Sequence, residues 1–306
     1  MKKAFIMGLS AVLAVSVLAG CSSKKSGDSS KQSYVPKTLT VQFVPSSNAE
    51  TLEAKAKPLE KLLGDKLGIP VKVSVSTNYN TIIEAMASKK VDVGFLPPSA
   101  YVLAKQKNAA ELLLQAQRYG IKQPTGENTT ELVDSYRSMI VVKKGSSIKS
   151  LQDLKGKKIA WQDVTSSAGY IWPAAEMKKA GIDPEKDVQG TIVKGHDKGI
   201  LAVLNGDVDA AAVFEDARNV VKKDYPDIFN QVEPIYFTKG IPNDTISVRP
   251  DMDKTWKDKI QQAFLDVAKD PEGKKVINDV YTHAGYVKTD DSKFDIVREY
   301  QKLVEK

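Results

Sequence analysis

The sequence predicts an α/β fold built from two sheet-and-helix units side by side. Three observations carry that reading. From Thr38 onward, short runs rich in β-branched residues alternate with segments whose apolar residues recur at helical spacing. The runs are about five residues long, an ordinary strand length, and no long structureless connection separates them. The composition is 42% hydrophobic and 27% charged over 306 residues, enough for one large domain or two modest ones. A disordered chain, a collagen-like fibre and a small stapled scaffold are excluded. No internal repeat of solenoid length is visible.

The elements follow in order. Lys2 and Lys3 precede an uncharged, mostly apolar stretch, Ala4 to Gly20. It falls short of the ~20 residues that span a bilayer and ends in small residues, so 1–20 reads as an export signal. Its end, Leu18-Ala19-Gly20-Cys21, resembles the bacterial lipobox. In that pattern the cysteine takes a diacylglycerol and becomes the new N-terminus. Cys21 is the single cysteine, so an internal disulfide is excluded. With only His196 and His283 besides, so is a Cys/His zinc cluster. Ser22–Pro36 is Ser- and Lys-rich and reads, with the lipidated Cys21, as a flexible tether over 21–36. This placement fits an extracytoplasmic protein held on the membrane of a Gram-positive cell.

Leu39–Val44 is a strand, Asn48 an N-cap, and Leu52, Ala56, Leu59, Leu63 and Leu67 a helical stripe interrupted at Pro58. Val71–Val75 is a strand, Thr81–Ser88 a helix and Val91–Phe95 a buried strand. Pro97-Pro98 breaks the chain before a helix opened by Ser99, and strands follow at Leu112–Gln117 and Ser138–Val142. In the second unit Ser150–Leu154 is a short helix and Lys158–Trp161 a strand. A helix spans Gly169–Ala180, Val188–Val193 is a strand, and His196 opens a helix through Leu204. Val208–Val213 is a strand, Glu215–Tyr225 a helix and Val232–Phe237 a strand. After a strand at Ile246–Val248, Asp253–Lys306 reads as helices and turns. Alternation of this kind indicates parallel sheets, whose ligands sit at strand carboxyl ends against helix N-termini.

The strand ends hold the candidate site. Thr165, Ser166 and Ser167 lie between the strand ending at Trp161 and the helix beginning near Gly169. Three hydroxyls beside free helix N–H groups form a donor-rich cradle for an anion. Read alone, the run is an ordinary Ser/Thr N-cap. Tyr79, His196 and Asp244 occupy similar corners, each unremarkable singly and suggestive together. The net charge of +7 points weakly at nucleic acid. Lys2 and Lys3 carry two of the excess positives, and Lys24, Lys25 and Lys31 against Asp28 carry two more, leaving +3 after Pro36. No basic run with interleaved aromatics occurs there, so nucleic-acid binding is not expected.

Several segments together resemble the phosphonate- and phosphite-binding proteins of ABC importers, the PhnD-like family of the type II periplasmic-binding-protein fold. They are Ala85–Tyr101, Leu151–Ala160, Asp163–Pro173, Gly195–Phe214 and Ile241–Asp244, in the family's order. The resemblance implies two Rossmann-like α/β lobes joined by a two-crossing hinge, with the ligand in the cleft between them. Lobe 1 would comprise 37–136 and 243–306, lobe 2 137–242, with hinges near Ser135–Met139 and Phe237–Asp244. It places the anion cradle on Ser166, Ser167, Ala168 and Gly169, with Ala168 lacking the family's hydroxyl and Thr165 beside it. Tyr79, His196 and Asp244 match further anion contacts. Glu215 or Asp216 matches a carboxylate for a substrate amine, and Ser99 and Tyr101 are further substituent contacts.

The implied ligand is a phosphonate or a related phosphorus oxyanion: phosphite, methylphosphonate or 2-aminoethylphosphonate. The implied partners are the importer's membrane subunits, and the chain is expected to act as a monomer without metal or cofactor. Neutral donors suit a site that must also release its ligand. Asp244 suits a ligand that keeps one P–OH proton, which sulfate lacks. Alternatives are another small oxyanion or nutrient, a structural lipoprotein, or a hydrolase using Ser166, His196 and Asp244. Against the hydrolase, no G-x-S-x-G elbow is present.

Overall fold

The computed structural model describes residues 33–305. The export signal and Cys21 lie outside the described residues. Twelve strands form two sheets. In order they are β1 (Leu39–Phe43), β2 (Val71–Val75), β3 (Val93–Leu96), β4 (Glu111–Lys122), β5 (Glu127–Val133), β6 (Ser135–Lys143), β7 (Lys158–Trp161), β8 (Gln189–Ile192), β9 (Ala210–Phe214), β10 (Val232–Pro242), β11 (Thr245–Val248) and β12 (Gly285–Val287). The first sheet runs β12-β4-β11-β3-β1-β2, with β5 paired to β4. The second runs β10-β6-β9-β7-β8. The chain thus passes between sheets twice, at Asp134 and at Asn243–Asp244.

Helices flank them: α1 (Ala49–Ala56), α2 (Leu59–Leu67), α3 (Tyr79–Ala87), α4 (Pro98–Gln106), α5 (Trp172–Lys179), α6 (His196–Asn205), α7 (Ala217–Val221), α8 (Ile228–Gln231), α9 (Lys254–Val267), α10 (Pro271–Tyr281) and α11 (Asp295–Glu305). Local chemistry sets their ends. Asn48 accepts from Thr51 N at 3.0 Å and Asn78 from Thr81 N at 2.8 Å, each satisfying a helix-start donor. Pro58 separates α1 from α2 as expected. No helix of the described residues is long and apolar enough to cross a membrane.

The sheets are mixed rather than parallel. β1 pairs parallel with β2 and β3, but β11 runs antiparallel to β3 and β4. In the second sheet β7 is parallel to β8 and β9, while β6 is antiparallel to β9 and β10. The reversed neighbours include the strands on which the chain enters or re-enters a sheet. β5 and β12 were not expected. β5 is polar and mostly exposed on both faces, so it carries no alternation, and β12 has only three residues. The expected Glu215–Tyr225 helix shortens to α7, and Gly169–Ala180 begins with a π-helical turn at Ser167–Ile171.

The end of the expected tether is held to the fold. Tyr34 N donates to Asp251 O, and Tyr34 O accepts from Asp253 N, both at 2.8 Å. The Arg249 guanidinium sits 3.7 Å from the Tyr34 ring centre. At the other terminus, α11 touches both sheets' helices. Gln301 donates to Ser99 O on α4 (3.0 Å), Tyr300 donates to Glu176 on α5 (3.0 Å), and the Trp172 and Tyr300 rings stack at 4.4 Å. The first sheet's core therefore continues into Ala168, Ile171, Trp172 and Ala175. The expected assignment of 243–306 to one lobe leaves out this second contact.

Candidate functional site

A cavity of about 310 Å³ opens between the sheets. Its wall takes Tyr79 from the first turn of α3, Ser166 from the loop after β7, His196 from the first turn of α6, and Asp244 from the return crossing. Four residues that the sequence placed at separate corners therefore share one space. Hydrogen bonds join the two halves around it. His196 N donates to Ser46 O (2.9 Å), Gln162 Nε2 to Pro45 O (3.1 Å), and Ser99 N to Ser167 Oγ (3.0 Å).

The hydroxyl run divides its work. Ser166 Oγ accepts from Gly169 N at 3.0 Å, which caps the π-helical turn and leaves its own hydrogen free to donate. Ser167, fully buried, donates to Ser99 Oγ at 2.9 Å and accepts from Ser99 N, so it ties the two halves together. Thr165 folds back on Asp163 (2.7 Å). Ala168 is buried, and its carbonyl accepts from Ser138 Oγ at 2.6 Å. Thr165, Ser167 and Ala168 do not line the cavity. Gly169 is required by contact: a Cβ there would sit 2.5 Å from Gln162 Cβ and 3.2 Å from His196 Cε1.

The substituent contacts fall elsewhere. Tyr101 donates to Asp291 at 2.6 Å and packs on Phe294, so it is a core residue. Ser99 is buried under α11. Glu215 is held by Arg137 Nε (2.9 Å) and N (3.1 Å). Glu215 and Asp216 line an adjoining cavity of about 390 Å³, which shares Arg118, Tyr136, Asn219 and Thr282 with the first.

Sequence reasoning missed Arg118, a cation on the cavity wall. Its guanidinium is buried, with Nη2 3.4 Å from Asp244 Oδ2 and Nη1 3.7 Å from Asp216 Oδ1. Tyr136 and Phe214 hold it by their ring faces, 4.8 and 5.8 Å from Cζ. Nε and Nη1 have no hydrogen-bond partner. A signal existed: Leu114 and Ala116 are buried, and the strand period of two puts Arg118 on the same face. Its charge is offset by two carboxylates, so it acts as a fixed donor rather than a bare cation.

Burial sets the protonation states. It pushes the His196 imidazole down to about 3, and Arg118 adds to that, so His196 is neutral near pH 7. Its Nδ1 lacks a partner. Burial raises Asp244, yet the hydrogen bond from His283 and the Arg118 charge outweigh it and hold the carboxyl below its ordinary value. Burial raises Asp216, against the pull of Arg118. Asp244 accepts from His283 Nε2 at 3.2 Å, and no Ser166–His196–Asp244 relay forms. Among the described residues, no three His, Cys, Asp or Glu side chains group as a metal site.

The family model described as "ABC transporter, phosphonate, periplasmic substrate-binding protein" matches residues 41–294. The phosphate-import protein PhnD of Mycolicibacterium smegmatis is 30% identical over 214 residues, 67% of this chain and 64% of that protein. The chain thus aligns with just under two thirds of that relative's length. The phosphonates-binding periplasmic protein of Escherichia coli is 25% identical over 245 residues, 79% of this chain and 69% of that one. The solved structure of PhnD1 from Prochlorococcus marinus, in complex with methylphosphonate, superposes with a TM-score of 0.76 at 18% identity. It covers 89% of this chain and 99% of that chain, and it shares the fold. With the family model spanning most of the folded residues, the chain belongs to the phosphonate substrate-binding family of ABC transporters.

Proposed function

We propose that this chain captures a phosphonate or related phosphorus oxyanion outside the cytoplasmic membrane and delivers it to an ABC importer, held at the membrane by lipid on Cys21. One observation carries the reading: a single cavity takes donors from both sheets, Tyr79 from one side and Ser166 and His196 from the other, around the guanidinium of Arg118. A tetrahedral anion placed there bridges the halves and stabilises the closed arrangement, the two sheets acting as lobes about the crossings at Asp134 and Asn243–Asp244. The Ser166 and Tyr79 hydroxyls and a neutral His196 give directional hydrogen bonds. Asp244 accepts a proton retained on the ligand's oxygen, which discriminates against sulfate.

The role is binding rather than catalysis. Ser166 Oγ is engaged as a cap, and Asp244 orients His283 instead of His196, so no activated nucleophile is assembled. A thermal-shift panel of phosphite, methylphosphonate, phosphate and sulfate tests the proposal. A ligand at about 100 times its dissociation constant adds about 2.7 kcal/mol and raises Tm by several degrees. Stabilisation by phosphorus oxyanions but not by sulfate is expected. No shift with any of the phosphorus compounds refutes it.

A further inference from the structure

We infer that Arg118 sets the charge class of the ligand: a built-in guanidinium engages two of the three buried carboxylates of the cavities, Asp216 and Asp244, and restricts the site to anions whose substituent carries no positive charge. The inference rests on the phosphorus-oxyanion reading above and narrows it.

A positive group in a buried space needs a counter-charge within reach. The buried acids here are already taken. Asp244 Oδ2 faces both His283 Nε2 (3.2 Å) and Arg118 Nη2 (3.4 Å). Asp216 Oδ1 faces Arg118 Nη1 at 3.7 Å. Glu215, in the adjoining cavity, is bound by Arg137 through its backbone and side chain. Asp279, on the cavity wall, pairs with Lys275. The other charged groups on that wall are Lys55 and Lys223. A ligand ammonium would therefore meet Lys55 and Lys223 on the wall and no buried carboxylate without a partner of its own.

Arg118 cannot step aside cheaply. It lies against Tyr136 and Phe214 and is buried, so a rotamer change would strand Asp216 and Asp244 without their counter-charge. An anion gains from the same arrangement. Arg118 Nε and Nη1 and His196 Nδ1 are buried polar atoms with no hydrogen-bond partner, and both residues line the cavity. The two guanidinium nitrogens are donors awaiting an acceptor. The site is thus complete for an oxyanion and closed to a zwitterion.

The test compares propylphosphonate with 2-aminoethylphosphonate, which have equal heavy-atom counts and differ in a terminal methyl or ammonium. Titration calorimetry on the full chain should give propylphosphonate an affinity at least about tenfold higher. In Arg118→Gln, Asp216 is freed and that preference should shrink below about threefold or invert. Arg118→Lys, which keeps the charge, should retain it. Asp216→Asn should also retain it, because Arg118 remains. Equal or tighter binding of 2-aminoethylphosphonate by the wild type overturns the inference. So does an unchanged preference in a folded Arg118→Gln chain. If that variant does not fold, a selective loss of 2-aminoethylphosphonate binding in Asp216→Asn overturns it, since Asp216 would then serve the ligand. Failure of the wild type to bind propylphosphonate, methylphosphonate or phosphate refutes the parent reading instead, and the inference falls with it.

Discussion

Replacing His196 by Gln removes a buried titratable ring and leaves an amide that cannot take up a proton in this range. In the folded chain the imidazole is 3% exposed and held at about 3. Unfolded, it returns to about 6.5. Between those values the unfolded state binds one more proton than the native state, so stability rises with pH there and is lost on acidification. The loss approaches about 1.4 kcal/mol per pH unit, which gives about 2.5 kcal/mol between pH 7 and pH 4.5. Urea unfolding at both pH values, without ligand, measures it. His283 is also lowered, by burial, but it is present in both proteins and cancels in the comparison. Wild type should lose about 2.5 kcal/mol more than His196→Gln over this interval. If the two proteins lose stability in parallel, His196 is not excluded from protonation in the native state and the account of a neutral donor is wrong.

Ser167→Ala leaves Ser99 N and Oγ without their partner in the other half and costs the closed form about 1–2 kcal/mol. Titration should show about tenfold weaker binding, with circular dichroism confirming an intact fold. Gly169→Ala drives a Cβ to within 2.5 Å of Gln162 Cβ and 2.9 Å of Ser166 Oγ. A stability loss of about 1–3 kcal/mol is expected, together with loss of ligand-induced stabilisation in a thermal melt. If Asp244 accepts a ligand proton, affinity falls about tenfold per pH unit above the ligand's second ionisation, because only the protonated fraction binds. A constant dissociation constant from pH 6 to pH 9 removes that role from Asp244.

Much of the candidate site was legible because its signals are local. Asn78 caps the helix that starts with Tyr79, Ser166 caps the turn that follows it, and His196 opens a helix after a strand. Each needs only a few neighbouring residues to be recognised. Arg118 is different. It lies mid-strand, and its partner in the candidate site is Asp244, 126 residues away, brought beside it by the return crossing. The separate duties of Ser166 and Ser167 were equally hidden, since the partner of Ser167 is Ser99, 68 residues earlier. Sheet direction was misjudged for the same reason. β11 gives no local sign that it enters the first sheet from the second, and so runs against β3 and β4.

The position of α11 bears on the order in which the molecule can be finished. A chain grows from its N-terminus, and its units fold as they emerge. Every strand of both sheets is synthesised before Tyr300 exists. Until then the Trp172 ring lacks its stacking partner, and Glu176 lacks one of its phenol donors. The growing chain therefore leaves Trp172 without its ring partner until the residues of α11 arrive. A chain ending before Asp295 lacks that contact permanently, and the two halves are then joined without the helix that touches α4 and α5.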